Sequence, residues 1–135
     1  MPDTDQQHIL GAFDRDMTAL QAHFLQLSGL TEHALTEAAL ALETLDAQAA
    51  DRVIAADSAI DDLEEFIQTE AASLIARRAP TASDLRRVLA VMRAAHSLER
   101  VGDYAKNVAK RTRVLPPSAP VEGHAGTIRR MSNLV

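Results

Sequence analysis

Glu99, Asp103 and Asn107 stand at four-residue intervals, a spacing that puts them on one face of a helix. At roughly 100° per residue, Leu85, Met92, Glu99 and Asp103 fall within about 40° of one another. The two acids therefore continue the line that Leu85, Leu89 and Met92 mark as the apolar stripe. An unpartnered carboxylate is costly on a buried line. Two acids there call for a charge partner, a proton or a metal ion. An ion pair would draw on Arg100, Lys106 or an arginine of another helix. A metal site built on carboxylate oxygens would suit hard or borderline cations such as Mg²⁺, Ca²⁺, Mn²⁺ or iron. His96, three residues before Glu99 and seven before Asp103, would favour a transition metal as a fourth ligand, although a lone helical histidine is more often a surface or capped residue. A phosphoryl-carrying histidine, at His33 or His96, or a metal-dependent catalytic bundle is the alternative chemistry. No base or orienting motif stands beside either histidine, and His96 is expected to face the stripe.

The elements that must position these residues are helical. The chain has 135 residues, enough for one domain with a real core. Its 47% hydrophobic content is mostly Ala and Leu with only four aromatic residues, which favours helix over a β-sandwich or barrel. The absence of cysteine excludes disulfides, thiolate metal sites and thiol catalysis. No apolar run approaches the roughly 20 residues that span a bilayer, and residues 1–7 are polar and acidic, unlike a signal peptide. A net charge of −5 gives no support to broad nucleic-acid binding. No Gly-rich phosphate loop, His-Glu-x-x-His or nucleophile elbow is present. A di-iron oxidase would need Glu-x-x-His on two helices, and the chain carries only the reverse order, His96-x-x-Glu99.

The charge is unevenly spread. Residues 46–70 hold eight acids against one base, Arg52, whereas residues 106–113 carry Lys106, Lys110, Arg111 and Arg113 and no acid. Most of these charges read as solvated helix faces, and the acidic middle is suited to cations or a basic partner.

Three long helices follow from the periodicity. The first is expected from about Asp5 to Leu45, with Ile9, Phe13, Met17, Leu20, Phe24, Leu27, Leu35 and Leu42 inward and Gly29 marking a kink or a close contact. The second runs from about Ala47 to Arg77 on Val53, Ala56, Ile60, Leu63, Ile67, Ala71 and Leu74. Arg77, Arg78 and Pro80 end it, and Thr81 with Asp84 reads as a capping-box-like start to a third helix from about Ala82 to Val114. Gly102 is expected where a neighbouring helix comes close, and Arg100 to hold charge across the bundle. Short connections between long helices require antiparallel returns, so the fold class is all-α, an up-down-up three-helix bundle. Pro116, Pro117 and Pro120 make a stiff linker, and residues 127–135 show helical periodicity too short to stand alone.

Residues 77–86, Leu98-Glu99-Arg100-Val101-Gly102-Asp103 with Asn107, and Asp57-Ser58-Ala59-Ile60-Asp61 form a recognisable set in order along the chain. On these segments, and over about residues 8–114, the chain resembles the PhoU family of phosphate-signalling regulators. The resemblance implies a PhoU-like repeat over 1–115, a Pro-rich linker over 116–122 and the truncated start of a second repeat over 123–135, since such proteins usually carry two repeats. It further implies a cytoplasmic, non-enzymatic and often dimeric regulator, in peripheral contact with membrane complexes. The implied partners are the ATPase subunit of the phosphate transporter and a sensor histidine kinase, with no organic cofactor. Metal-binding motifs of the family fall on Glu99, Asp103 and Asn107 and on Asp57 and Asp61, with Mg, Mn, Fe or Zn as candidate ions. By spacing, Asp57 and Asp61 lie roughly 60° to 100° from Ile60 and are expected to flank the stripe. Antiparallel packing could bring that edge beside Glu99 and Asp103. A single repeat would also expose apolar surface, so a homo-oligomer is expected.

Overall fold

A computed structural model describes residues 4–116, 127, 129–131 and 133–134. Three helices, α1 (Thr4–Thr44), α2 (Ala47–Arg78) and α3 (Ala82–Thr112), each pack against the other two. Among the described residues there is no strand. The Asp16–Arg78 ion pair and the His23–Glu70 hydrogen bond, both at 2.8 Å, tie the start of α1 to the end of α2. Asp57–Lys106 at 2.7 Å and Asp51–Arg113 at 2.9 Å do the same between α2 and α3. Both pairings are antiparallel, which is the up-down-up bundle that the sequence implies.

The turns between helices are short and chemically defined. Leu45 adopts the left-handed conformation (φ 51°) and closes α1 with Leu45 N–H donating to Leu42 C=O and Asp46 N–H donating to Ala41 C=O at 3.0 Å. That is a Schellman closure made without glycine. Asp46 then accepts from the amides of Gln48 (3.0 Å) and Ala49 (3.1 Å), capping α2 one residue later. At the other end Ala79 (φ 42°) donates to Ile75 C=O, and Pro80 prevents continuation. The capping box expected at Thr81 does not form: its side chain makes no cap hydrogen bond, and Asp84 instead accepts from Arg87 at 3.3 Å.

Met17, Leu20, Leu27, Ile60, Ile67, Leu74 and Val88 are the large apolar side chains with almost no exposure, interleaved with buried alanines that let the helices approach. Several expected positions differ. Ile9 is exposed near the free end of α1, and Ala56 is exposed on α2. Gly29 is exposed inside an unbroken helix, and a methyl group there would meet nothing within 4 Å, so it marks no close contact. On α3 the buried line is Val88, Ala95, Gly102, Ala105, Ala109 and Thr112, while Leu85, Leu89 and Met92 are half-buried at its margin. A helix that contacts two neighbours buries its smallest residues where the axes come nearest and leaves the larger ones at the rim.

The expected linker 116–122 lies outside the described residues apart from Pro116. Within 123–135, Thr127, Arg129–Met131 and Asn133 are helical, and Arg129 pairs with Glu43 at the end of α1.

Candidate metal centre

Gly102 sets the geometry of the site. A β-carbon built there would stand 3.2 Å from both Cδ1 and Cγ2 of Ile60. The absent side chain thus lets α3 lie close on α2, as the sequence suggested. The residues beside this crossing, Asp57 and Asp61 on α2 and Glu99 and Asp103 on α3, are brought to one seam.

Asp57, Asp61 and Asp103 each offer a carboxylate oxygen within 4.8 Å of the others. Glu99 lies beside them, close enough for Asp103 and Asp61 to act on its carboxyl group. Burial, then the Asp103 carboxylate, then Asp61 push the Glu99 carboxyl from its ordinary 4.5 to about 7. All of these effects favour the protonated form of the Glu99 carboxyl. Asp61 is also raised, by burial first and then by the charges of Asp57 and Asp103.

The depth of these acids reverses the sequence expectation. Asp57 was expected at the edge of the stripe, yet it is buried, with 3% of its surface exposed. Glu99 and Asp103, expected on the core line, are half-buried, and Asp61 is exposed. Because α2 packs against both α1 and α3, its buried arc is wide enough to take in a residue about 60° from Ile60. On α3 the innermost line belongs to Gly102 and the alanines.

Among the described residues, Lys106 is the one cation paired with the cluster. Its ammonium donates to Asp57 Oδ2 at 2.7 Å, and Asp57, first by hydrogen bond and then by charge, raises its pKa. The partner assignment differs from the sequence reading, in which Lys106 was a candidate for Glu99 or Asp103. The other oxygen, Asp57 Oδ1, is buried with no hydrogen-bond partner among the described residues. A buried carboxylate oxygen without a donor is an expensive arrangement, and a cation would satisfy it. The donor set is all oxygen, which fits Mg²⁺, Mn²⁺ or iron better than thiophilic ions.

Other candidates lie elsewhere. Asn107 is exposed one turn beyond Asp103. His96 does not face the stripe: its side chain is 66% exposed, with Nδ1 3.9 Å from Glu64 Oε1, in a shallow groove with Gln68, Met92 and Arg93. Arg100 does not reach across the bundle and donates to Tyr104 OH at 3.4 Å on its own helix. His33 is exposed beside Glu37 and Arg52 between α1 and α2. Sequence reasoning missed the His23–Glu70 pair, whose imidazole also meets the Phe66 ring edge-on with centroids 5.0 Å apart. No local signal marks residues 47 positions apart as neighbours. The antiparallel register does.

With this geometry in place, comparison with known proteins identifies the family. Residues 24–112 match the family model described as the PhoU domain. The chain is 33% identical over 129 residues to a phosphate-specific transport system accessory protein PhoU homolog of Caulobacter vibrioides, covering 96% of this chain and 56% of that protein. It is 43% identical over 108 residues to a homolog of the same name from Zymomonas mobilis subsp. mobilis (80% and 46%), and 38% identical over 104 residues to the PhoU protein of Serratia marcescens (77% and 43%). The chain therefore spans about half the length of the curated relatives it matches. Those relatives are named as accessory proteins of phosphate transport, not as enzymes. With its family-model match, its close relatives and its three-helix bundle, the chain belongs to the PhoU family.

Proposed function

We propose that this chain is a regulatory module of phosphate transport and phosphate-responsive signalling, acting by contact and not by catalysis. Its partners in this reading are the ATPase subunit of the phosphate transporter and a sensor histidine kinase. It would meet them on the cytoplasmic side of the membrane, as a homo-oligomer. The relatives' names support the phosphate-transport role. That no described helix is long and apolar enough to cross a membrane agrees with peripheral contact. Exposed Leu25 and Phe66 supply apolar surface for association.

The observation that carries the site is the convergence of Asp57, Asp61, Glu99 and Asp103 around a buried oxygen with no donor. Asp57, Asp61 and Asp103 would hold a cation, with Glu99 releasing its proton to join them. The cation would supply positive charge that offsets the carboxylates. Lys106 holds one oxygen of Asp57, Gly102 keeps the two helices close, and Glu99 would trade a proton for the ion. Occupancy would thereby change the charge of the face on which α2 presents its acids, and with it the affinity for a basic partner surface.

The test joins elemental analysis with binding to the purified transporter ATPase subunit in manganese and in chelator. Bound metal that is lost in Glu99→Ala with Asp103→Ala, and ATPase affinity that rises in chelator as the acidic face regains its negative charge, are the expected results. Unchanged metal stoichiometry in the double variant would reject the site, and no ATPase binding in either buffer would reject the regulatory contact.

A further inference from the structure

The outer ridge of α3 carries a pattern that the bundle does not use. Arg86, Ala90, Arg93, Ser97, Arg100, Tyr104, Asn107 and Arg111 follow one another at alternating steps of four and three, and every one is exposed. This is the spacing of a coiled-coil seam, yet it points away from the core, opposite the buried line of Val88, Ala95 and Gly102. Arg86, Arg93 and Arg100 recur every seven residues, about 10.5 Å apart along the axis, and the ridge runs for roughly 37 Å. The molecule has 19 acids against 14 lysines and arginines, so cationic groups have acids available to them. Even so, Arg86, Arg93, Arg100 and Arg111 enter no ion pair among the described residues, whereas Arg78, Arg87 and Arg113 all do.

We infer that this ridge is a docking surface for an acidic α-helix of a partner protein, laid along α3 with carboxylates at seven-residue spacing. Three features select that occupant. The charge is borne by arginine, whose planar fork pairs with carboxylates two bonds at a time. Ala90 and Ser97 between the arginines leave a shelf on which a second helix can lie close. Arginine and tyrosine are also the residues that most often carry binding energy at protein interfaces. An anionic membrane surface would instead call for large apolar residues beside the basic ones, and within the ridge Tyr104 is the sole aromatic. The exposed acids of α2, Asp61, Asp62 and Glu65, repel an acidic partner from the neighbouring helix and confine it to α3.

This inference rests on the reading of the chain as a contact module and names the chemistry of one contact. Its test uses the whole chain and a four-heptad helical peptide with glutamate at every seventh position, followed by fluorescence anisotropy. A peptide of the same composition in shuffled order and phosphatidylserine-containing vesicles are the rival probes. The heptad peptide should bind at least tenfold tighter than the shuffled one, and binding should weaken as salt rises from about 50 to about 300 mM. Arg93→Glu with Arg100→Glu should abolish it with unchanged circular dichroism, and Arg93→Lys with Arg100→Lys should keep a measurable part. Equal binding of the shuffled peptide, vesicle binding in place of peptide binding, or an unaffected charge-reversal variant would each overturn the proposal. A dimer converted to monomer by the charge reversal would do so too, because the occupant would then be a second copy. Peptide binding without any contact with the transporter ATPase rejects the regulatory reading alone. Transporter contact without heptad preference rejects this inference alone.

Discussion

Glu99→Gln should stabilise the protein in alkaline buffer and do little in acid. The folded chain holds the Glu99 proton up to about pH 7, whereas the unfolded chain releases it near the ordinary value of 4.5. Between those values the folded state binds more protons than the unfolded one. Stability contributed by the protonated group is therefore complete below the unfolded value and is lost as pH rises through the folded one. At about 1.4 kcal/mol per tenfold change in acidity, the displacement sets a ceiling of roughly 3 kcal/mol. Glu99 is only half-buried, so solvent screening brings the effect to about 1–2 kcal/mol. Glutamine is neutral at every pH and carries an amide able to donate to a neighbouring carboxylate. Urea unfolding in chelator, followed by circular dichroism, should show the variant more stable by about 1–2 kcal/mol at pH 8. At pH 4.5 the two proteins should agree within about 0.5 kcal/mol. Manganese added at pH 8 should then raise the wild-type midpoint by mass action, and that of the variant less. A difference that is absent at pH 8, or equal at both pH values, would refute the reasoning.

Three further outcomes follow from the same seam and its turns. Gly102→Ala adds a methyl 3.2 Å from Ile60. Overpacking of about 1–3 kcal/mol less a helix-propensity gain of about 1 leaves it neutral to about 2 kcal/mol destabilised; in an Ile60→Ala background the same change should stabilise, and denaturation showing no coupling between the two sites would contradict the close approach. Lys106→Met should lower the thermal midpoint at pH 7, because it strips Asp57 of its donor, and Asp57→Leu in that background should recover part of the loss; a Lys106→Met midpoint equal to wild type would show that the pair does not hold the seam. Asp46→Ala removes the acceptor of two amides at the start of α2 and should cost about 1 kcal/mol in urea unfolding, with Asp46→Asn nearly neutral; an unchanged alanine variant would mean that Leu45 closes the turn unaided.

The sequence by itself determined the helices, their ends and the identity of the acidic residues. Three-and-four periodicity and Pro80 are local signals that the structure keeps, whereas the capping box read at Thr81 does not form. Gly102 was legible too, since a glycine inside a strong helix carries a cost that a close contact offsets. Which acid is buried was decided only by the tertiary structure. A helical wheel drawn for one helix has one inside, but α2 has two neighbours, and that geometry drew Asp57 into the core while Glu99 stayed at the rim. The same holds for Lys106, which sequence proximity assigned to Glu99 or Asp103 and which packing gave to Asp57, 49 residues away. The near-neutral Glu99 is likewise a property of the assembled seam, because burial is the first cause of its raised pKa, followed by Asp103 on its own helix and then by Asp61, which packing brings over from α2.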